Sequence, residues 1–344
     1  MCFSPLPSYQ VSDSFVKVFP RDTAYIYYEC NSCEWIAVPF SALDKFGAAP
    51  TNKTIPREWL TMLPCGKCLD CRLAYARDWA NRCVVESLSY GYNWFFTVTY
   101  NNEHLPLIYK DDVTPSASLW KDDILAFIKA VRNHWQYKYE HTGIRFFLAG
   151  EYGDKSFRPH YHLIVFNLPL GKLDYYAKSP LGDVYYTCDE LNKCWNKGYI
   201  VIGEMTSQSA AYTARYCLKK IKDGQSDVYS QLGIIPEYTN CSRRPGIGKV
   251  WYDKHKEQLF SQGFVSVSDG QKSLRVYPGR YFKRLYKSEH EAEYLKYQEL
   301  QLYKATIKHD MELLQTDLNE LEYDLVKKDN ALARTKILFD RSVI

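Results

Sequence analysis

The sequence predicts an α+β fold: an antiparallel sheet of four to five strands flanked by helices, with a cysteine-bearing N-terminal segment and a long C-terminal helical region. Three observations lead there. Trp94 to Tyr100 is a β-branched and aromatic run, and Tyr161 to Asn167 is a second such run after a polar turn, the signature of strands. Apolar residues recur at three- and four-residue steps over Lys67–Ser89 and Leu119–Glu140, the signature of helices. Between residues 94 and 222 the order runs strand, helix, strand, strand, helix, strand, helix, which suits an antiparallel sheet with helices on its faces.

Residues 1–66 read as an irregular, cysteine-bearing segment with one short strand at Tyr25–Tyr28. Residues 67–222 form the core domain. Its first helix places Leu69, Leu73, Ala76, Ala80, Cys83 and Val84 on one side and stops at Gly91. After the Trp94–Tyr100 strand, the second helix turns Leu125, Ile128 and Val131 inward and ends at Thr142-Gly143. Ile144–Tyr152 and Tyr161–Asn167 are then two strands of a hairpin. Residues 168–188, with Pro169 and Pro180, read as a loop, followed by a short helix to Asn196 and a strand at Tyr199–Ile202. Thr206 or Ser207 caps a helix running to about Lys222. Residues 223–284 are a basic Gly/Ser/Pro-rich segment, and 285–344 read as one long helix or a helical hairpin. Leu300, Ile307, Met311, Leu314, Leu318, Leu321 and Leu325 keep a mostly heptad spacing, expected to pack back onto the body, with a self-associating coiled coil as the alternative.

Composition bounds the function. No run of eighteen apolar residues exists, so no membrane partner is expected, and the N-terminus lacks the pattern of a secretory signal. Eleven cysteines without an export signal argue for thiols or a metal site rather than disulfides. Cys30-x2-Cys33 and Cys65-x2-Cys68 offer four thiolates to a structural Zn2+, with Cys71 an additional candidate and buried thiols the alternative. The net charge of +4 is unremarkable, but residues 207–288 hold 15 Lys and Arg against 6 Asp and Glu. That surplus of nine fits phosphate binding, and 30 tyrosines provide rings for stacking on unpaired bases. Gly246-x-Gly248-Lys249 is followed by Val250 and lacks the first glycine of a phosphate loop, so no nucleotide-hydrolysing helicase module is expected.

Two motifs carry chemistry. His160 and His162 share one face of their strand, and hairpin pairing brings Glu151 near them. Two imidazoles and a carboxylate suit a divalent cation with open coordination positions, Mg2+ or Mn2+, while a pair of surface histidines is the competing reading. Glu204 and Asp154 are fallback carboxylates. Fifty residues on, Tyr212 and Tyr216 are four apart on a helix and share a face, with Lys219 and Lys220 beyond them; simple packing is the alternative. Arg243, Arg244 and Lys249, in a basic turn, are candidate phosphate contacts.

His160-Tyr161-His162 resembles the His-hydrophobic-His motif of the HUH endonucleases, and Tyr212-x3-Tyr216-x2-Lys219 resembles their two-tyrosine motif. Phe95-Phe96-Thr97-Val98-Thr99-Tyr100 is similar to their first motif. The order of these motifs, with Pro64–Arg72 and Ser242–Gly248, resembles the replication initiators of microviruses, especially the gokushovirus branch, over about residues 60 to 290. The resemblance implies an HUH nuclease core. In it, His160, His162 and Glu151 hold the metal, Tyr212 and Tyr216 alternate as nucleophiles, and Lys219 lies at the phosphate. Arg215 and Lys220 join the DNA contacts. It also implies a single-stranded or replicative-form phage DNA origin as substrate, host helicase and polymerase as partners, and the host bacterial cytoplasm as the place of action. Two other readings stay open: a non-catalytic single-stranded nucleic-acid-binding protein, and a zinc hydrolase using water.

Overall fold

Side-chain alternation builds two sets of sheets in this chain. The structure is a computed structural model, and it describes residues 6–12, 15–29, 34–42, 54–56, 60–66, 68–110, 115–153, 156–180, 182–219, 225–270 and 272–340. Two compact units divide the chain, residues 1–72 with 328–334 and residues 73–327 with 335–344.

In the first unit, β1 (Leu6–Ser12), β2 (Phe15–Val18), β3 (Thr23–Glu29), β4 (Glu34–Pro39), β5 (Thr54–Pro56) and β6 (Thr61–Leu63) make two three-stranded sheets, ordered β2-β1-β6 and β4-β3-β5. Phe19, Ile26 and Leu60 are its buried centre, with Trp35 and Ile55 packed against them. The segment expected to be irregular is therefore largely strand. Its runs of three to seven residues are too short for a period to stand out.

The rest of the chain follows the expected order and adds to it. Helix α1 (Leu69–Ser87) leads to β7 (Asn93–Tyr100), a small ribbon of β8 (Leu107–Ile108) and β9 (Ser116–Ala117), and α2 (Lys121–Tyr139). Then come β10 (Arg145–Tyr152), β11 (Pro159–Phe166), β12 (Asp174–Lys178), β13 (Val184–Thr187), α3 (Asp189–Trp195), β14 (Gly198–Glu204) and α4 (Ser207–Lys219). The chain continues through α5 (Gln225–Leu232), β15 (Tyr238–Cys241), α6 (Lys249–Gln262) and a hairpin of β16 (Val265–Ser268) and β17 (Ser273–Val276). It closes with α7 (Arg280–Glu289), α8 (Glu291–Leu313) and α9 (Glu320–Asp340).

The α+β class holds, but the antiparallel sheet has seven strands, ordered β12-β13-β14-β7-β11-β10-β15, not four to five. The extra strands come from two places. Residues expected to be a loop form β12 and β13, whose Tyr-rich ribbon is half-buried to exposed and shows no apolar alternation. The basic segment supplies β15, which pairs with β10 from Phe147–Cys241 to Gly150–Tyr238. Gly198 lets β14 close on β7, because a Cβ there would lie 2.0 Å from the Thr99 carbonyl oxygen.

The sheet has two differently used faces. One packs Phe96, Val98, Tyr161, Leu163 and Val165 against Ile124, Phe127, Ile128, Val131 and Trp135 of α2 and Trp195 of α3. Leu125, expected to point inward, is 40% exposed; the buried stripe runs through its neighbour Ile124. The opposite face packs Phe147, Ile164 and Phe166 against Cys83 and Val84 of α1, Ala210 of α4 and Ile247. A second core joins α6, α7 and α8 through Trp251, Tyr252, Phe260, Phe282, Tyr286, Tyr294 and Tyr297.

Two helices, α8 and α9, make up the predicted C-terminal helical stretch, and Tyr323 Oη and Lys327 Nζ of α9 donate to Glu312 of α8 at 2.9 and 2.6 Å. Leu300, Ile307, Met311, Leu314, Leu318 and Leu325 are exposed, contrary to the expected packing, while Tyr294 and Tyr297 at the start of α8 are buried. Among the described residues, no helix is long and apolar enough to cross a membrane.

Candidate metal and nucleophile site

Register builds the site. In the β10–β11 hairpin Glu151 lies opposite His160 and Ala149 opposite His162. Across β11, Thr99 faces His160 and Thr97 faces His162. Alternation then puts Thr97, Thr99, His160, His162, Ala149 and Glu151 on one face, continuous with the apolar Phe147–Ile164–Phe166 layer. Glu151 Oε1 lies 2.5 Å from His160 Nε2 and 3.0 Å from His162 Nε2, and one ligand atom from each of the three residues lies within 4.8 Å of the others.

The outer nitrogens of the two rings are held. His160 Nδ1 is 3.1 Å from the Arg158 carbonyl oxygen, which leaves that nitrogen as the N–H donor and Nε2 as the nitrogen with a lone pair in the neutral ring. His162 Nδ1 is 3.2 Å from Thr97 Oγ1. Arg158 is itself fixed, its guanidinium donating to the Tyr100 carbonyl at 2.8 Å and to Asn102 Oδ1 at 3.0 Å. Glu151 is buried, which alone would raise its carboxyl; hydrogen bonds from His160 and His162, and their charge, outweigh burial and bring it down to about 2.

That donor set fits a metal. Both Nε2 atoms aim at one carboxylate oxygen, so without a cation each ring must carry a proton there. A divalent ion satisfies all three groups with neutral rings. Three protein ligands leave coordination positions open, the arrangement of a reactive rather than a structural site. Glu204 is not part of the cluster: it is exposed at the end of β14, paired with Trp94, three residues past the Val201 that lies level with Thr97. Asp154 lies outside the described residues.

Helix α4 lies over the same face. Thr206 and Ser209 cap it reciprocally: the Ser209 amide donates to Thr206 Oγ1 at 3.2 Å and the Thr206 amide to Ser209 Oγ at 2.8 Å. Small side chains let it sit close, Ala210 against the sheet and Ala214 against Ala76 of α1. Tyr212 is thereby brought edge-on to His162, ring centroids 5.1 Å apart at 81°, and to Phe95 at 6.0 Å. Phe95 stacks flat on His162 at 5.5 Å and 9°. The Arg215 guanidinium lies 5.6 Å from the centre of the Tyr212 ring. Tyr216 and Lys219 stand on α4 one and about two turns further on, but their side chains, like all of Lys220, lie outside the described residues.

The other predicted contacts are spread out. Arg243 and Arg244 are exposed in the turn after β15. Lys249, at the start of α6, is paired with Asp253 and lies 3.7 Å from Glu289, so its charge is already shared with two carboxylates. Cys65 and Cys68 fall together with Cys71, while Cys30 and Cys33 lie outside the described residues.

Sequence reasoning missed the groups that hold this face in place. Glu86 of α1 is fully buried and accepts from Arg145 Nε and, at 2.6 Å, from the Gly248 amide. Arg145 also donates to the Pro245 carbonyl at 2.7 Å, and Arg82 Nε donates to the Ile247 carbonyl at 3.0 Å. The signal was present as Arg82-x3-Glu86, one charged pair at helical spacing around the apolar Cys83-Val84-Val85. Thr97 and Thr99 were legible too, as the polar members of an alternating strand.

The sequence is similar to known proteins. Residues 93–221 match the family model for the replication-associated protein ORF2. The chain is 36% identical over 233 residues to the replication-associated protein ORF2 of Spiroplasma virus 4, covering 67% of this chain and 70% of that protein. It is 34% identical over 251 residues to the replication-associated protein VP4 of Bdellovibrio phage phiMH2K, covering 72% and 75%. A match of 35% over 167 residues to the replication-associated protein ORF4 of Chlamydia phage 1 covers 47% of this chain and 39% of that protein. No solved structure matches. These relatives define the class as the viral replication-associated proteins. The chain belongs to that family, the microvirus replication initiators its motifs resemble.

Proposed function

We propose that this replication initiator nicks and rejoins single-stranded DNA at the phage origin by tyrosine transesterification. The observation that carries the reading is the placement of Tyr212 directly on His162, within the Glu151–His160–His162 cluster's own face. A bound Mg2+ or Mn2+ would supply Lewis-acid polarisation of a non-bridging phosphate oxygen, held by His160, His162 and Glu151.

The remaining steps belong to the chain. The Tyr212 or Tyr216 phenolic oxygen forms a bond to phosphorus, losing its proton to solvent. The bond from phosphorus to the 3′-oxygen breaks, and that oxygen leaves as a 3′-hydroxyl after taking a proton. One phosphodiester replaces another, so the later joining needs no ATP. Lys219 and Arg215 would offset phosphate charge, and Arg243, Arg244 and Lys220 would hold the strand's backbone. The second tyrosine would cut the regenerated origin, releasing a circle. The freed 3′-hydroxyl suits a host polymerase, and the lack of a phosphate loop leaves unwinding to a host helicase, in the host bacterial cytoplasm. Residues 67–222 would serve as the nuclease core and 223–284 as the phosphate-tracking segment.

The test is one gel. Purified protein, a 3′-labelled origin oligonucleotide and Mn2+ are incubated and then denatured. The label should shift to the size of the protein, and the Tyr212→Phe, Tyr216→Phe double variant should give no adduct while either single change leaves some nicking. Stable binding without cleavage, or a released 5′-phosphate with no attached protein, would reject the proposal.

A further inference from the structure

Three thiols stand together far along the sequence from the histidine cluster. Cys65, Cys68 and Cys71 are spaced three apart, and their Sγ atoms all lie within 4.8 Å of one another. We propose that these three cysteines supply three of the four ligands of one structural Zn2+, Cys71 joining the pair Cys65 and Cys68.

The local backbone is shaped for this. Gly66 takes a positive φ of 72°, with nothing within 4 Å of where a Cβ would be, so the chain turns back sharply after Cys65. The turn points the Cys68 amide at Cys65 Sγ, 3.2 Å away. That N–H is a hydrogen-bond donor held against a sulfur placed to be a ligand. Helix α1 begins at Leu69, so Cys68 sits just before it and Cys71 lies in its first turn, one helical turn beyond Cys68.

Distance selects the kind of metal. Tetrahedral zinc with Zn–S bonds of about 2.3 Å places its sulfurs about 3.8 Å apart. The same Cys-x2-Cys-x2-Cys spacing can serve a cubane iron–sulfur cluster, but there each thiolate binds a different iron and the sulfurs stand about 6.5 Å apart. A limit of 4.8 Å fits one ion and excludes the cubane. Thiolate-only donors also select zinc over Mg2+ or Mn2+, which take oxygen and imidazole. The zinc would tie the turn at residues 65–68 to the first turn of α1. It is a separate site from the one proposed for DNA cleavage, and its fate is independent of that reading.

Metal content tests it. Full-length protein purified under reducing conditions without added metal should carry about one zinc per chain by mass spectrometry. Cys68→Ser and Cys71→Ser should each lose it, whereas Cys194→Ser and the His160→Ala, His162→Ala double variant should keep it. Because a cysteine change can impair folding, the unaltered protein provides a second measurement. Titration with a mercurial should release the zinc in step with modification of three or more thiols. Zinc retained in Cys71→Ser, zinc lost with the histidines, iron with acid-labile sulfide, or a metal-free wild-type chain would each overturn the proposal.

Discussion

His162 is gripped on every side. Thr97 Oγ1 meets Nδ1, Glu151 meets Nε2, and the Phe95 and Tyr212 rings close on its face and edge. For Nε2 to bind a metal, Nδ1 must carry the proton and donate it to Thr97, so Thr97 sets the tautomer. Thr97→Val should therefore raise the Mn2+ concentration giving half-maximal nicking about tenfold, and Thr97→Ser should restore it. Glu151→Gln replaces a proposed ligand rather than its support, and nicking at fixed Mn2+ should fall by more than about 100-fold. In both variants circular dichroism should stay native, which separates loss of metal from loss of fold.

At the level of elements, the basic turn after β15 is tied to the site face through buried charge. Glu86 and Arg145 join α1 to β10, and both reach into residues 245–248. Arg82 lies between the Trp79 and Tyr281 rings, 3.9 and 4.0 Å from their centres, and also holds this turn. Removing one member of a buried pair leaves the other uncompensated. Arg145→Met should cost about 3–5 kcal/mol, read as a lower midpoint in urea denaturation, with Glu86→Ala comparable. Gly248 has φ 84°, and a Cβ there would meet Phe282 at 3.0 Å. Gly248→Ala should cost about 1–2 kcal/mol from the left-handed backbone alone, by the same assay. The helix spacing showed that Arg82 and Glu86 share a side; that their side faces inward depends on Arg145, 59 residues from Glu86.

For the whole molecule, charge is unevenly shared. The net +4 hides a surplus of nine positive charges in residues 207–288. Counterion release makes single-strand affinity fall with salt, with a slope of about 0.7 per phosphate contact. If Arg243 and Arg244 each hold a phosphate, changing both to Ala should lower the slope of log affinity against log salt by about 1.4, measured by fluorescence anisotropy. Lys249→Ala should change it much less, because Asp253 and Glu289 already occupy that ammonium. An unchanged slope in the double variant would place the DNA elsewhere.

The sequence by itself determined the α+β class, the positions of the long helices, and the sharing of one face by His160 and His162. These follow from periods of 2 and 3.6 that act within a few residues of chain. It also placed Glu151 beside the histidines, because a hairpin carries its register in its own two strands. Only the tertiary structure decided that the sheet has seven strands, that β15 lines its edge, and that α4 lays Tyr212 against His162. The same is true of the meeting of Glu86 with Arg145 and the exposure of the heptad leucines of α8 and α9. Those outcomes depend on which distant surfaces bury each other, and a local pattern states that a face is apolar without naming the face that covers it.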